Sequence, residues 1–209
     1  MHKRIKLLMV GLGAALLLAL ATGGAMARSF SLSDNTFSAK WAGLRFIAAG
    51  RTVVCPVTLE GTFHSRTLAK VVNSLLGFVT RAIVNNAACT GGGATVLSAT
   101  LPWHITYRSF TGTLPNIERI FINLINASFQ VQPSGSVACL ARTSTTNPAV
   151  GFITLSRGTA TSLTADETAE IPLTGAFGFC SFGGEGHFGG TTTSLRTLNG
   201  LANITVTLI

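Results

Sequence analysis

The sequence predicts an all-β fold, an antiparallel β-sandwich or barrel with one α-helix near residues 67–84. Short stretches in which apolar and polar residues alternate recur along the chain, and turn residues separate them. Thr is the most frequent residue of the chain, and 23 residues are Gly. With 209 residues, 47% of them hydrophobic and 11% charged, the chain is expected to form one folded domain rather than a disordered region.

Residues 1–27 have the pattern of a secretory signal peptide. Basic residues at positions 3, 4 and 6 precede an apolar run over residues 7–21, and Ala25 and Ala27 fit the small-residue cleavage pattern. The run is shorter than the roughly 20 residues that a membrane-spanning helix needs, and an uncleaved anchor is the alternative. We therefore predict cleavage after Ala27, one secreted β domain over residues 28–209, and no transmembrane segment after signal cleavage.

Two stretches show the strand pattern most clearly. From residue 53 to residue 63 the odd positions are apolar or small, and residues 101–108 repeat the alternation. Because successive side chains of a strand point to opposite faces, Cys55 is expected to face the core. Further strands are predicted over residues 29–38, 43–49, 94–100, 119–132, 136–142, 151–156, 171–179 and 203–209.

Residues 67–84 are the one long window with a helical period. Ser65 or Thr67 is placed to cap the N-terminus, and the polar face carries too little charge for a membrane-surface helix. We expect this helix to cover a sheet or to close one end of a barrel. The apolar positions of the period are Leu68, Val71, Val72, Leu75, Leu76, Val79, Ala82 and Ile83.

Four cysteines, all in the predicted secreted part, imply two disulfides and no free thiol. Of the three possible pairings, we prefer Cys55 with Cys89 and Cys139 with Cys180, because sequential pairing joins neighbouring elements without threading. The intervals contain no C-x-x-C pair. Metal ligation by cysteine is therefore not expected, and no metal or cofactor is predicted.

The predicted secreted part is moderately basic. Without the three basic residues of the signal it has twelve basic and seven acidic residues, a net charge of +5. The arginines are scattered rather than massed, so nucleic acid is not an expected partner. The modest positive charge either attracts acidic envelope polymers or another exported protein, or serves solubility alone.

The first candidate site is a set of polar residues on two predicted strands. Glu60 and His64 share the outer face of one strand, and His104 and Arg108 share the polar face of the other. If these strands are neighbours, a histidine beside the carboxylate could act as a general base or bind a metal. The alternative is an ordinary solvent-facing strand surface.

The second candidate is the glycine-rich segment over residues 183–190, which carries Glu185 and His187. One interpretation is a binding loop that closes over a ligand. The other is a connection whose glycines adopt turns between strands. The segment lacks the Lys-Ser or Lys-Thr pair of a phosphate-binding loop.

The chain contains the segments CPVTLEGTFHS from Cys55, LPWHITYRSFTGTLPNI from Leu101, and IPLTGAFGFC from Ile171, with GEGHFGG following. In these segments it resembles uncharacterised secreted proteins of high-GC Gram-positive bacteria. The resemblance extends over much of the predicted secreted part and implies a bacterial exported protein. No activity is assigned to that group, so the resemblance brings no catalytic residue.

The sequence contains no nucleophile elbow, phosphate loop, dinucleotide fingerprint or H-E-x-x-H pair. We therefore expect an exported, non-enzymatic binding or structural protein of the cell surface or the extracellular space. The alternative is a secreted hydrolase in which His64 or His104 acts as the base and Glu60 orients it.

Overall fold

A computed structural model describes residues 29–48, 50–175, 180 and 184–209. The predicted signal peptide over residues 1–27 lies outside this part of the chain. So do the last residues of the strand predicted over 171–179 and the first residue of the glycine-rich segment. The described strands are β1 (Ser29–Leu32), β2 (Thr36–Ala48), β3 (Arg51–Phe63), β4 (Thr67–Ala69), β5 (Leu75–Val84), β6 (Gly92–Val96), β7 (Trp103–Thr113), β8 (Asn116–Ile125), β9 (Ser128–Pro133), β10 (Cys139–Arg142), β11 (Ala149–Ser156), β12 (Thr159–Ala165), β13 (Ile171–Gly175), β14 (Glu185–Thr191), β15 (Ser194–Arg196) and β16 (Val206–Leu208).

Eight of these strands form a closed ring. In the order β2, β3, β5, β7, β8, β11, β12, β14, each strand pairs antiparallel with the next. The ring closes because β14 also pairs with β2, with Phe188 opposite Phe46. The prediction of an antiparallel all-β fold is confirmed, and we call this ring the barrel.

The alternation of apolar and polar residues along β3 and β7 determines which side chains face the barrel core. On β3 the side chains of Val53, Cys55 and Val57 are almost completely buried, as the odd-position pattern predicts. On β7 the inward residues are Trp103, Ile105 and Tyr107. The large apolar side chains therefore fill the inside of the ring and leave the alternate positions to the outer face.

A second group of strands, β6, β9, β10 and β13, extends the sheet beyond β14, and we call it the side sheet. It returns to the barrel through a single bridge between Thr90 and Val54 on β3. Phe129 of β9 is buried against the barrel, with ring centroids 5.1 Å from Trp103 and 5.3 Å from Phe46. Aromatic packing against inward-facing side chains of the barrel thus holds the side sheet in place.

A small sheet in the order β16, β1, β4 covers one end of the barrel, and we call it the cap sheet. Phe30 of β1 is 1% exposed and its ring lies 5.8 Å from that of Tyr107. Leu68 of β4 and Ile204, which precedes β16, are also buried. The cap sheet therefore takes the place at the barrel end that was predicted for a helix.

The prediction of an α-helix near residues 67–84 is wrong. This segment forms β4, a turn and β5, and the described residues contain no α-helix, only 3-10 turns at Asn86–Ala88 and Ser98–Thr100. Val71 and Val72, which the helical period assigned to the apolar face, are 63% and 62% exposed in the turn. Strand β5 fills the gap between β3 and β7, where its backbone bonds both neighbours. A helix bonds its backbone internally and would leave both neighbouring edges open.

Both disulfides are present, with Cys55 bonded to Cys89 and Cys139 bonded to Cys180. The preferred pairing is confirmed, and no cysteine of the described residues is free. Within the described ranges, no helix has the length and apolar character needed to cross a membrane.

Candidate functional site

The two strands of the first candidate site are not neighbours, because β5 lies between β3 and β7. Phe78 of β5 pairs with Thr62 on one side and with His104 on the other. Adjacent strands lie about 4.8 Å apart, so His104 is roughly 10 Å from the backbone of β3. The predicted patch is therefore divided into two parts of the outer face.

Each residue of the first candidate set has its own surroundings. The Glu60 carboxylate accepts a hydrogen bond from Arg81 at 2.9 Å. His64 Nδ1 lies 3.3 Å from the carbonyl oxygen of Leu76, and the His104 ring packs edge-on against Phe78 at 5.4 Å. Arg108 is exposed at a bulge of β7. The carboxylate thus pairs with an arginine rather than with either histidine.

The second candidate is not a loop, because Glu185 and His187 lie in strand β14. A Cβ atom at Gly186 would come within 3.0 Å of the carbonyl oxygen of Ile47, so this glycine permits close approach of β2. His187 Nδ1 lies 3.3 Å from the carbonyl oxygen of Ala169, and Glu185 is exposed. The segment is part of the barrel wall over Glu185–Thr191 and is not a binding loop.

Glu60 borders a groove on the outer face of the barrel. We call this groove the polar groove. Its floor is one row of the sheet, in which Arg196 of β15 lies opposite Ser38 of β2, and Ser38 lies opposite Glu60 of β3. The turn that follows β15 forms a wall. The groove has a volume of about 380 Å³ and is lined by Ser38, Lys40, Glu60, Ser194, Arg196, Leu198, Asn199 and Gly200.

Local sequence explains how these side chains reach the groove. On β2, Ser38 and Lys40 alternate with the buried Phe37, Ala39 and Trp41 and so face outward. The wall is a turn in which Thr197 donates its backbone N–H to the carbonyl oxygen of Ala202 at 3.0 Å. A tight turn of this kind places residues 198–200 above the strand row.

The polar groove carries more positive than negative charge. Lys40 is exposed, and its ammonium has no ion-pair or hydrogen-bond partner among the described residues. Arg196 makes only a long 3.4 Å hydrogen bond from Nη1 to the carbonyl oxygen of Gly200. The Glu60 carboxylate is neutralised by Arg81. The arrangement therefore favours an anionic group between Lys40 and Arg196.

Ser38 adds a hydrogen-bonding group that nothing satisfies. The residue is 5% exposed, and its Oγ has no hydrogen-bond partner. A buried hydroxyl without a partner costs about 1–3 kcal/mol relative to a satisfied one.

Sequence reasoning identified Glu60 but missed Ser38, Lys40 and Arg196. The alternation along β2 was visible and would have placed Ser38 and Lys40 on an outer face. Arg196 comes next to them only because β15 pairs with β2 across more than 150 residues of chain. No local pattern reports such a pairing.

Among the residues that the structure describes, no group of three or more His, Cys, Asp or Glu side chains lies close enough together to hold a metal ion.

The chain matches no protein-family model, no curated protein and no solved structure at a significant level.

Proposed function

We propose that this is an exported, non-enzymatic binding protein whose polar groove binds an acidic, hydroxyl-bearing polymer of the cell envelope. The observation that carries the proposal is the pair of cations, Lys40 and Arg196, which line the same groove without an ion-pair partner among the described residues. The signal-peptide pattern supports export, and the two disulfides are compatible with it. The resemblance to secreted bacterial proteins supports an envelope location.

The charges of the groove favour the anionic part of such a ligand. A carboxylate or phosphate between Lys40 and Arg196 would accept charge-assisted hydrogen bonds from both side chains. The volume of about 380 Å³ lies within the range of about 300–1,000 Å³ that is usual for ligand pockets. The groove is open along the outer face, so a polymer can pass through it and need not end in it.

The neutral polar groups favour hydroxyls on the same ligand. Ser194 lines the groove opposite Lys40 on the neighbouring strand, and its hydroxyl can donate to a ligand oxygen. Glu60 keeps one carboxylate oxygen outside its contact with Arg81 and can accept from a ligand hydroxyl. Donors and an acceptor side by side suit an acidic sugar unit better than a simple inorganic anion.

The alternative function, a hydrolase, has less support. A general base must lie within hydrogen-bonding distance of the group that orients it, about 2.6–3.2 Å. Glu60 pairs with Arg81, while His64 and His104 contact Leu76 and Phe78. The geometry of these residues therefore supports binding rather than hydrolysis.

The proposal is tested by titrating the purified, disulfide-bonded protein with polygalacturonate and with neutral dextran. We expect binding to polygalacturonate, weaker at high salt, and none to dextran. Lys40→Ala combined with Arg196→Ala should weaken binding by about tenfold or more, because two charge-assisted contacts are lost.

The matched control is Arg66→Ala combined with Arg108→Ala, which removes the same charge from exposed positions away from the groove. An equal loss of binding in this control would refute the groove and leave only non-specific charge attraction. Hydrolysis of an ester or glycoside that His64→Ala abolishes would overturn the proposal in favour of the hydrolase.

A further inference from the structure

The inside of the barrel contains an apolar cavity of about 70 Å³, which we call the upper cavity. All eight barrel strands contribute to its wall. Leu59, Val79, Ile105, Ile122 and Leu163 are among the side chains that line it. An eight-stranded barrel is just wide enough for its side chains to fill it or for one small ligand to bind inside.

A second apolar cavity of about 40 Å³, the lower cavity, lies where the cap sheet closes the barrel. Ile120, Ile153 and Ala160 of the barrel and Leu68 of the cap sheet are part of its lining. Ile120 and Ile122 lie two residues apart on the inner face of β8, and one lines each cavity. The two cavities therefore follow each other along the barrel, about 7 Å apart at this strand.

The linings do not suit water. In the lining of the upper cavity, only Trp41 and Thr164 have polar side-chain atoms, and the lining of the lower cavity has none. The Trp41 indole N–H is already bonded to the carbonyl oxygen of Gly190 at 3.1 Å. A buried water needs two to four polar partners, so an apolar occupant suits this space better. A hydrocarbon would also regain the dispersion contacts that an empty cavity forfeits.

The upper cavity has a way in. Leu124, Leu163 and Ala165 in its wall are only partly buried. Beside them, β12 and β14 share just two residue pairs, Thr164 with Thr191 and Ala165 with Gly190. This is the shortest ladder between neighbouring strands of the barrel, and it borders the upper cavity.

From the shape and chemistry of these cavities, we propose that the barrel binds the end of one unbranched hydrocarbon chain. The chain enters through the upper cavity and extends toward the lower one, parallel to the barrel strands. This site is separate from the polar groove, which lies on the outer face, and neither proposal depends on the other.

The experiment uses a series of straight-chain alkanols from butanol to decanol as probes, with binding followed by methyl NMR. Affinity should rise about fourfold for each added methylene, because each buries a further apolar group. The rise should stop at the length that fills both cavities. Intermolecular NOEs should connect the alkyl protons to the methyl groups of Ile122 and Leu163.

Three Ala→Leu variants locate the bound chain. Ala149→Leu places a larger side chain in the upper cavity, takes up its space and should abolish binding. Ala160→Leu fills the lower cavity in the same way, so the affinity should stop rising at a shorter alkanol. Ala42→Leu, at an exposed position of β2, should change nothing. Thermal melts show which variants remain folded. If a variant does not fold, the NOEs of the unmodified protein show whether the alkyl chain lies in the cavities.

The proposal is overturned if alkanols do not bind, or if affinity does not depend on chain length. It is also overturned if Ala42→Leu weakens binding as much as Ala149→Leu does. Each of these three results would leave the polymer-binding proposal untouched.

Discussion

The barrel and the side sheet are held together in different ways. In the barrel, neighbouring strands share long ladders, and β2 and β3 align from Thr36 opposite Thr62 to Ala48 opposite Arg51. The side sheet meets the barrel through two residue pairs between β13 and β14 and through the bridge of Val54 with Thr90. Few backbone hydrogen bonds thus connect the two regions.

Other interactions compensate at that junction. Cys89 precedes β6 and is bonded to Cys55 on β3, beside the single bridge. Phe129 of the side sheet places its buried ring against inward-facing aromatic side chains of the barrel. A disulfide and a cluster of buried aromatic rings thus connect the two regions where their ladder pairing is short.

The largest effect is expected from Phe129→Ala, which removes the ring between the side sheet and the barrel. Its burial and its contacts with Trp103, Phe46 and Phe188 predict a loss of about 3–5 kcal/mol in the free energy of unfolding. Denaturant titration measures the loss. Phe121→Ala is the matched control, because that ring is only partly buried on the outer face of β8 and should cost clearly less. Equal losses would show that the junction has no special role.

A somewhat smaller effect is expected from Cys55→Ala combined with Cys89→Ala. The disulfide closes a loop of 34 residues, so the chain-entropy model predicts a loss of about 3–4 kcal/mol. The loss of stability should be larger in the side sheet than in the barrel. Amide hydrogen exchange should therefore accelerate more in β6 and β9 than in β7 and β8. Uniform acceleration across both regions would argue against the side sheet as a separately fastened unit.

The smallest effect concerns the barrel alone, because Tyr107 is the single tyrosine of the chain and lies on β7. Burial raises the pKa of the Tyr107 phenol above its usual value of 10.0. The unfolded chain therefore ionises first, so stability is unaffected below about pH 10 and falls as pH rises through the folded pKa. Tyr107→Phe should remove this part of the alkaline loss, which unfolding curves from pH 9 to 11 measure. An unchanged alkaline loss in the variant would contradict a buried phenol.

Residues 67–84 show why part of the fold escaped prediction. The apolar residues of this window satisfy a helical period, yet Leu76 and Val79 are buried in strand β5 while Val71 and Val72 are exposed in the preceding turn. A bulge between Leu75 and Gly77 shifts the strand register and hides the alternation. Short apolar windows are ambiguous in this way, and the unfilled place between β3 and β7 decided the outcome.

The strand class of the protein, the inward face of β3 and β7, and the presence of two disulfides follow from the amino-acid pattern alone. These properties are local, because alternation is a property of successive residues and cysteine oxidation follows from the predicted compartment. Three other features emerge from the assembled fold: the sheet closes on itself, β5 separates Glu60 from His104, and Arg196 lies beside Ser38. Each of these depends on which distant strands pair, and pairing is chosen by the whole set of backbone bonds and buried side chains at once.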